Sequence, residues 1–370
     1  MIELSLGLAG TAKNTGKTTT TAAVIGELRR RSIPFYLTSI GYDGENLDNI
    51  TGLPKPKLRV EPGDIIATAE TCILNSTAIM TKLAETDIMT PLGRVFVTKV
   101  ERAGLAVTAG PNKSSEVKRL QALMRQFGPG ITIFDGALNR IAPMAETDGF
   151  ILATGAAKTP DIPRLARETE LIAKIAKLPP VPTALELEKH NCVKATLFTP
   201  ELTVQKSWPT SSLLGARDVE DLLTEDFPEG SCLFVPGIIS EAAIERLLIL
   251  FKHHEKRLFL AFTDPTKLLV TGNERLFEIL TERLPELGVF VGVVKAIPML
   301  AVTVNPFYSE YRYETKTYQP AYVDAMRLQL AVQRGIRAPV YNVIKQGAGK
   351  LVDVLLTRTH RWEGPETVRF

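Results

Sequence analysis

Gly10-Thr11-Ala12-Lys13-Asn14-Thr15-Gly16-Lys17-Thr18-Thr19-Thr20 holds the residue types that grip a phosphate, in the order such a grip requires. An apolar run, Ile2 to Ala9, precedes it and a helical pattern, Thr19 to Arg30, follows it. A strand, a tight loop and a helix in that order turn successive backbone N–H groups inward. The helix N-terminus adds positive potential to the same spot. Lys17 is placed to neutralise the β and γ phosphates, and the Thr18 hydroxyl to hold magnesium. Lys13 and Asn14 lie inside the loop. The expected nucleotide-binding set is Thr11, Lys13, Asn14, Thr15, Gly16, Lys17, Thr18 and Thr19. A Gly/Thr-rich turn ending by chance in Gly-Lys-Thr would lack the strand before it and the helix after it.

The loop departs from the common P-loop in one place. That pattern puts glycine five residues before Gly16, where this chain has Thr11, and the glycine comes one residue earlier, at Gly10. A β-branched residue needs ordinary backbone angles, so the turn at Thr11 is not the usual glycine turn. Carboxylates must complete the site. Asp135 ends the apolar run Ile131-Thr132-Ile133-Phe134, and strand carboxyl ends face the nucleotide in parallel sheets. It is the expected magnesium ligand, directly or through water. Asp43 follows the second strand and is expected to bind magnesium or orient the attacking water, with Glu45 and Asp48 competing for either role. Lys17 and Asp43 form the expected catalytic pair. Arg140, after Asp135, is placed to stabilise transferred charge or to pair with a surface acid. Asn112-Lys113 begins like a guanine-reading motif, but residue 115 is serine, so guanine specificity is unsupported.

Short apolar runs alternating with helical patterns predict an α/β fold with a mainly parallel sheet flanked by helices. Strands are expected over Ile33–Ile40, Arg94–Val100, Leu105–Ala109, Ile131–Phe134 and Phe150–Ala153. Helices are expected over Ile65–Leu83, Ser114–Phe127 and Asp161–Lys177. Three prolines in Leu178-Pro179-Pro180-Val181-Pro182 break any regular element. They divide a nucleotide-binding domain, 1–178, from a second α/β domain, 183–370. In the latter, strands are expected over Ser231–Val235, Arg257–Phe262, Val289–Val294 and Leu300–Val304. Helices are expected over Ser240–Phe251 and Pro320–Val332, with a turn at Asn305–Ser309.

At 370 residues, 45% hydrophobic and 23% charged, the chain has the material for two packed domains. The net charge of +3 is small and its signs are interleaved. Arg29-Arg30-Arg31 falls at a helix end, where it complements the dipole, so no nucleic acid is expected. Cys72, Cys192 and Cys232 are too scattered for a zinc site or a disulfide framework. The most apolar window, Leu287–Val304, is interrupted by Lys295 and Pro298 and reads as two buried strands joined by a turn. No membrane span is expected, and with no room for a signal peptide before the first strand the chain reads as cytoplasmic.

The Gly10–Thr18 loop resembles that of dethiobiotin synthetases, cobyrinic-acid synthetases and the division-site ATPases. Those relatives keep aspartate or lysine where this chain has Ala12. The resemblance therefore implies neither the dethiobiotin-forming reaction nor a trans-acting lysine. Gly10–Thr20, taken with Asp135-Gly136-Ala137-Leu138-Asn139-Arg140 and Val304-Asn305-Pro306, resembles the smaller reactivase subunit of lysine 5,6-aminomutase. That likeness implies an ATPase using ATP and Mg2+ to restore a cobalamin- and pyridoxal-phosphate-dependent aminomutase. It also implies a protein partner, the aminomutase or a second ATPase subunit; a homodimer is a further expectation. The alternatives are an ATP-dependent ligase that activates a small carboxylate, and a nucleotide switch with little turnover.

Overall fold

A computed structural model describes residues 3–41, 58–190, 192–220, 227–253, 258–271 and 274–359. The chain first lays down β1 (Leu4–Gly10), β2 (Phe35–Ser39), β3 (Leu58–Val60), β4 (Ile65–Ala69), β5 (Ile79–Thr90), β6 (Gly93–Arg102), β7 (Gly104–Ala106), β8 (Ile131–Ala137) and β9 (Gly149–Gly155). It then builds a separate sheet from β10 (Thr196–Phe198), β11 (Val204–Ser207), β12 (Cys232–Val235), β13 (Phe259–Phe262) and β14 (Phe290–Val293). Finally it returns with β15 (Met299–Asn305), β16 (Phe307–Arg312), β17 (Thr317–Tyr322) and β18 (Val340–Tyr341).

The return decides the domain organisation. The large sheet has nine strands in the order β18-β15-β9-β1-β8-β2-β4-β6-β5. It is parallel from β18 through β4, and β6 and β5 add antiparallel to their neighbours. β15 lies in parallel register beside β9, Val302 opposite Leu152. Among the described residues, one compact unit therefore combines those up to Thr169 with those from Met299 to Thr359, and the other is Glu170–Pro298. The expected division into 1–178 and 183–370 is corrected accordingly. The chain leaves the first unit inside the helix Ile162–Ala176, ahead of the proline cluster, because the partner strand for β9 arrives only at Met299.

Strands β1, β8 and β9 are buried almost end to end, as a parallel sheet covered on both faces demands. On one face Leu6, Leu8, Ile131 and Ile133 pack with Val24, Ile25 and Leu28 of the helix Lys17–Arg30. Leu351, Val352 and Leu355 of the helix Gly349–Thr359 join the same core. Arg31 ties the two helices, bonding Asp353 at 2.6 Å and the Gly349 carbonyl at 2.9 Å. On the other face Met144 lies over the sheet. A Cβ at Gly7 would meet its Sδ at 2.7 Å, and one at Gly136 its Cε at 2.8 Å.

Ile65–Leu83, expected to be a helix, is instead β4, a short helix Glu70–Leu74 and the start of β5. Its apolar residues serve an antiparallel edge that pairs with β6 along its length. β5 carries register shifts at three places and the charged Lys82, whose ammonium sits 3.8 Å from the Phe96 ring centre. Such irregularity and charge blunt an exposed edge. Pro320–Val332 is likewise divided, into β17 and the helix Ala325–Gly335, which Asp324 caps through the Arg327 amide.

The second unit has strand order β11-β10-β12-β13-β14, with β12, β13 and β14 parallel. Its helix Glu241–His253 buries Ile244, Leu247, Leu248 and Phe251. The apolar window Leu287–Val304 is split between β14 of this sheet and β15 of the other. Among the described residues no helix is long and apolar enough to cross a membrane.

The returning segment is thus part of the first unit's core. Leu355→Ala should cost about 2–5 kcal/mol, the usual loss for a buried leucine that leaves a cavity. Hydrogen exchange should speed up in β1 and β8 while β12–β14 stay protected. Unchanged exchange in β1 and β8 would contradict the shared core.

Candidate functional site

The loop from Gly10 to Gly16 joins the carboxyl end of β1 to the helix Lys17–Arg30. Two residues take left-handed backbone angles, Asn14 at φ 63° and Gly16 at φ 92°. Thr11 is not among the positive-φ residues, which matches the expectation for a β-branched side chain there. It is instead tied to β9: its N–H donates to the Ala153 carbonyl at 2.9 Å, and its hydroxyl to Thr154 Oγ1 at 3.1 Å. Thr15 is buried, and its hydroxyl donates to the Ala12 and Ala153 carbonyls. The Thr15 side chain thus braces the loop.

Helix N-termini are normally finished by a side-chain cap and favour acidic residues. This one has Gly16 at the cap, no capping side chain and no acidic residue in its first turn. Its first helical residue is Lys17, a cation at the positive end of the dipole. Asp135 supplies the missing negative charge. It lies in the buried run of β8, directly beside Leu8 of β1, and its Oδ2 lies 2.8 Å from Lys17 Nζ. Its other oxygen accepts from Thr21 Oγ1 at 3.2 Å. Asp135 is 7% exposed, so the pair lies largely out of solvent. Thr18 is half-buried, and Thr19, Lys13 and Asn14 are exposed around the loop.

Residues from the returning strand close the opposite side. Asn305, at the end of β15, donates through Nδ2 to the Asn14 carbonyl at 3.2 Å and accepts from the Phe307 N–H at 3.2 Å. Its carbonyl accepts from Ala156 N–H. Thr303 exchanges a 2.8 Å hydrogen bond with Thr20. A Cβ at Gly16 would come within 2.9 Å of Asn305 Cβ. Thr15, Gly16, Thr19, Thr20, Thr303, Asn305, Val343 and Ile344 line a small cleft beside the helix start.

At the carboxyl end of β2 the chain turns through Gly41 at φ 67°. A side chain there would collide with Asn112 Oδ1 at 2.5 Å and crowd Arg140 at 3.3 Å. Arg140 is half-buried beside this turn, in the loop that follows Asp135. Asn112 and Lys113 are exposed, and their N–H groups donate to Glu116, in the first turn of the helix Ser114–Met124.

The structure therefore brings Thr11, Lys13, Asn14, Thr15, Gly16, Lys17, Thr18, Thr19 and Asp135 into one place. Asp43, Glu45 and Asp48 lie outside the described residues. Thr21 and Thr303 complete the site without having been singled out from sequence, while Thr154 stands at the end of the expected strand Phe150–Ala153 and Asn305 entered only through the resemblance at Val304–Pro306. Thr21 alone carried a local signal, standing one helical turn after Lys17 on the same face. Burial pushes the Cys232 thiol up to about 12 and raises Cys72 as well, so neither is a nucleophile at neutral pH. Among the described residues no three His, Cys, Asp or Glu side chains gather to hold a metal.

Gly16→Ala should cost about 1–3 kcal/mol, from left-handed strain and the collision with Asn305. Asn305→Gly in the same chain should recover the steric part, and chemical unfolding of both single variants and the double reads the coupling. Strictly additive losses would contradict the contact. The chain matches no protein-family model and no curated protein, so the chemistry of the site rests on its own residues.

Proposed function

We propose that the chain is a magnesium-dependent P-loop ATPase that couples hydrolysis to reactivation of a partner enzyme. One observation carries the reading. A glycine-capped helix start without acidic residues is wrapped by a loop with left-handed angles at Asn14 and Gly16, and it places a lysine against a buried aspartate of the neighbouring strand β8. An uncapped helix N-terminus with its own cation is poorly satisfied alone and well matched to a polyphosphate.

The loop amides and Lys17 bind the phosphates, and Lys17 exchanges Asp135 for phosphate oxygen as it does so. The Thr18 hydroxyl and the Asp135 carboxylate are the groups that would hold magnesium. A cluster of protein carboxylates is not required, because this ion keeps water and substrate phosphates among its ligands. When bound, magnesium neutralises charge on the β and γ oxygens. Arg140 adds positive charge near the carboxyl end of β8. Asp43 retains its sequence-based role in orienting the attacking water. Positioning and neutralisation carry nearly all the catalysis in phosphoryl transfer, so this short inventory suffices. The reactivase assignment rests on the resemblance at Gly10–Thr20, Asp135–Arg140 and Val304–Pro306. It makes a cobalamin-dependent aminomutase, or a second ATPase subunit, the expected partner.

Calorimetric titration with ATP and magnesium tests the site. Lys17→Ala should weaken binding roughly 10- to 100-fold, the value of losing charge-assisted hydrogen bonds. ATPase activity equal to that of the unaltered chain in this variant would remove Lys17 from the site. Asp135→Asn should raise the magnesium concentration needed for half-maximal turnover, and an unchanged titration would remove Asp135. Turnover should be slow for the chain alone and faster with the aminomutase. Turnover that depends instead on a small carboxylate and an amine would establish a ligase.

A further inference from the structure

The proposed exchange at Lys17 leaves Asp135 with a problem of orientation. In this structure one carboxylate oxygen is paired with Lys17 at 2.8 Å and the other accepts from the Thr21 hydroxyl at 3.2 Å. These are its two side-chain partners among the described residues. The Asp135 backbone is fixed in β8, between β1 and β2. The last torsion of an aspartate is nevertheless broad and roughly two-fold. Once a phosphate takes the lysine, Thr21 is the side-chain contact left to resist rotation of the carboxylate.

The four threonines from Thr18 to Thr21 point in different directions, because successive helical residues turn by about 100°. Thr18 is half-buried, Thr19 is exposed and Thr20 bonds Thr303 of β15. Thr21 stands one turn after Lys17 and is 0% exposed. Its Oγ1 lies 3.1 Å from the Lys17 carbonyl and 3.2 Å from Asp135 Oδ1, so one rotamer reaches both. A hydroxyl has one proton to donate, and an ionised carboxylate is the stronger acceptor. The Lys17 carbonyl keeps the Thr21 N–H along the helix, so it stays satisfied when the hydroxyl turns wholly to Asp135. Burial keeps bulk water from competing for that bond.

We propose that Thr21 is a positioning residue for the metal. Its hydroxyl holds Oδ1 of Asp135 in place, so that Oδ2, the oxygen Lys17 gives up, is the one offered to magnesium. The inference rests on the reading of Asp135 as a magnesium-holding residue, and adds that a second side chain sets its direction. Phosphate binding by the loop amides and Lys17 does not pass through this hydroxyl. Thr21 therefore belongs to the metal-dependent part of nucleotide binding and not to the metal-free part.

Calorimetric titration of the full chain with ATP, first with a chelator and then across a range of magnesium concentrations, tests it. Thr21→Val removes the hydroxyl at nearly constant volume. Its affinity for metal-free ATP should equal that of the unaltered chain, which also shows that the variant is folded. The magnesium concentration giving half of the metal-dependent gain in affinity should rise roughly tenfold, the scale of one hydrogen bond to a charged group. Thr21→Ser should return it to the original value. In an Asp135→Asn background Thr21→Val should add nothing, because the hydroxyl acts through that carboxylate. Thr21→Ala, with the same expected shift, replaces the valine variant if that one does not fold. The proposal is overturned if Thr21→Val leaves the magnesium titration unmoved while Asp135→Asn shifts it. It is equally overturned if metal-free binding falls by the same factor, or if the two losses simply add. A titration unmoved by Asp135→Asn itself refutes the metal role of Asp135, and with it this inference.

Discussion

A lysine at the first position of a helix is electrostatically out of place, and the Lys17–Asp135 pair is what makes the site possible. The positive end of the dipole and the ammonium repel each other, and no acidic residue of the first turn offsets them. The countercharge comes from a neighbouring strand more than a hundred residues along the chain, at 2.8 Å. That requires β8 to lie directly beside β1 in parallel, with Leu8 opposite Asp135. Thr21 fixes the second carboxylate oxygen from the same helix. The register of the central strands thus serves electrostatics as much as core packing. The proposed phosphate ligand would relieve the same imbalance from the other side.

The loop itself is held from outside. Ala153 and Thr154 of β9 anchor Thr11 and Thr15, and Asn305 of β15 anchors Asn14. Each anchor is the carboxyl end of a parallel strand, where such sheets collect their ligand-facing loops. A rigid cradle needs all three strands in register. The chain delivers the last of them only after completing its second unit. The returning helix Gly349–Thr359 then buries Leu351, Val352 and Leu355 in the first unit's core.

What was legible in the sequence follows the range of the forces involved. The turn from Gly10 to Gly16, the helix after it and the strand carrying Asp135 were readable because a strand, a turn and a helix declare themselves over a few residues. The parallel fold class was readable from alternation. The roles of Asn305 and Thr303 were not, because a parallel neighbour leaves no local trace of its partner. β9 and β15 are separated by a complete five-stranded sheet. The proline cluster looked like a boundary because it breaks local structure, yet unit membership is decided by strand pairing. Ile65–Leu83 was misread for a related reason. Its apolar residues are spaced ambiguously between the two periods, and pairing with β6 settled the matter.

The central claim is that the loop and helix start bind a nucleotide polyphosphate. Hydrogen exchange across the whole chain, with and without ATP and magnesium, tests it most directly. Amides of residues 11–21 should gain protection, with a smaller gain around Asn305, while β12–β14 remain unaffected. Protection confined to the second unit, or no change anywhere at saturating nucleotide, would contradict it.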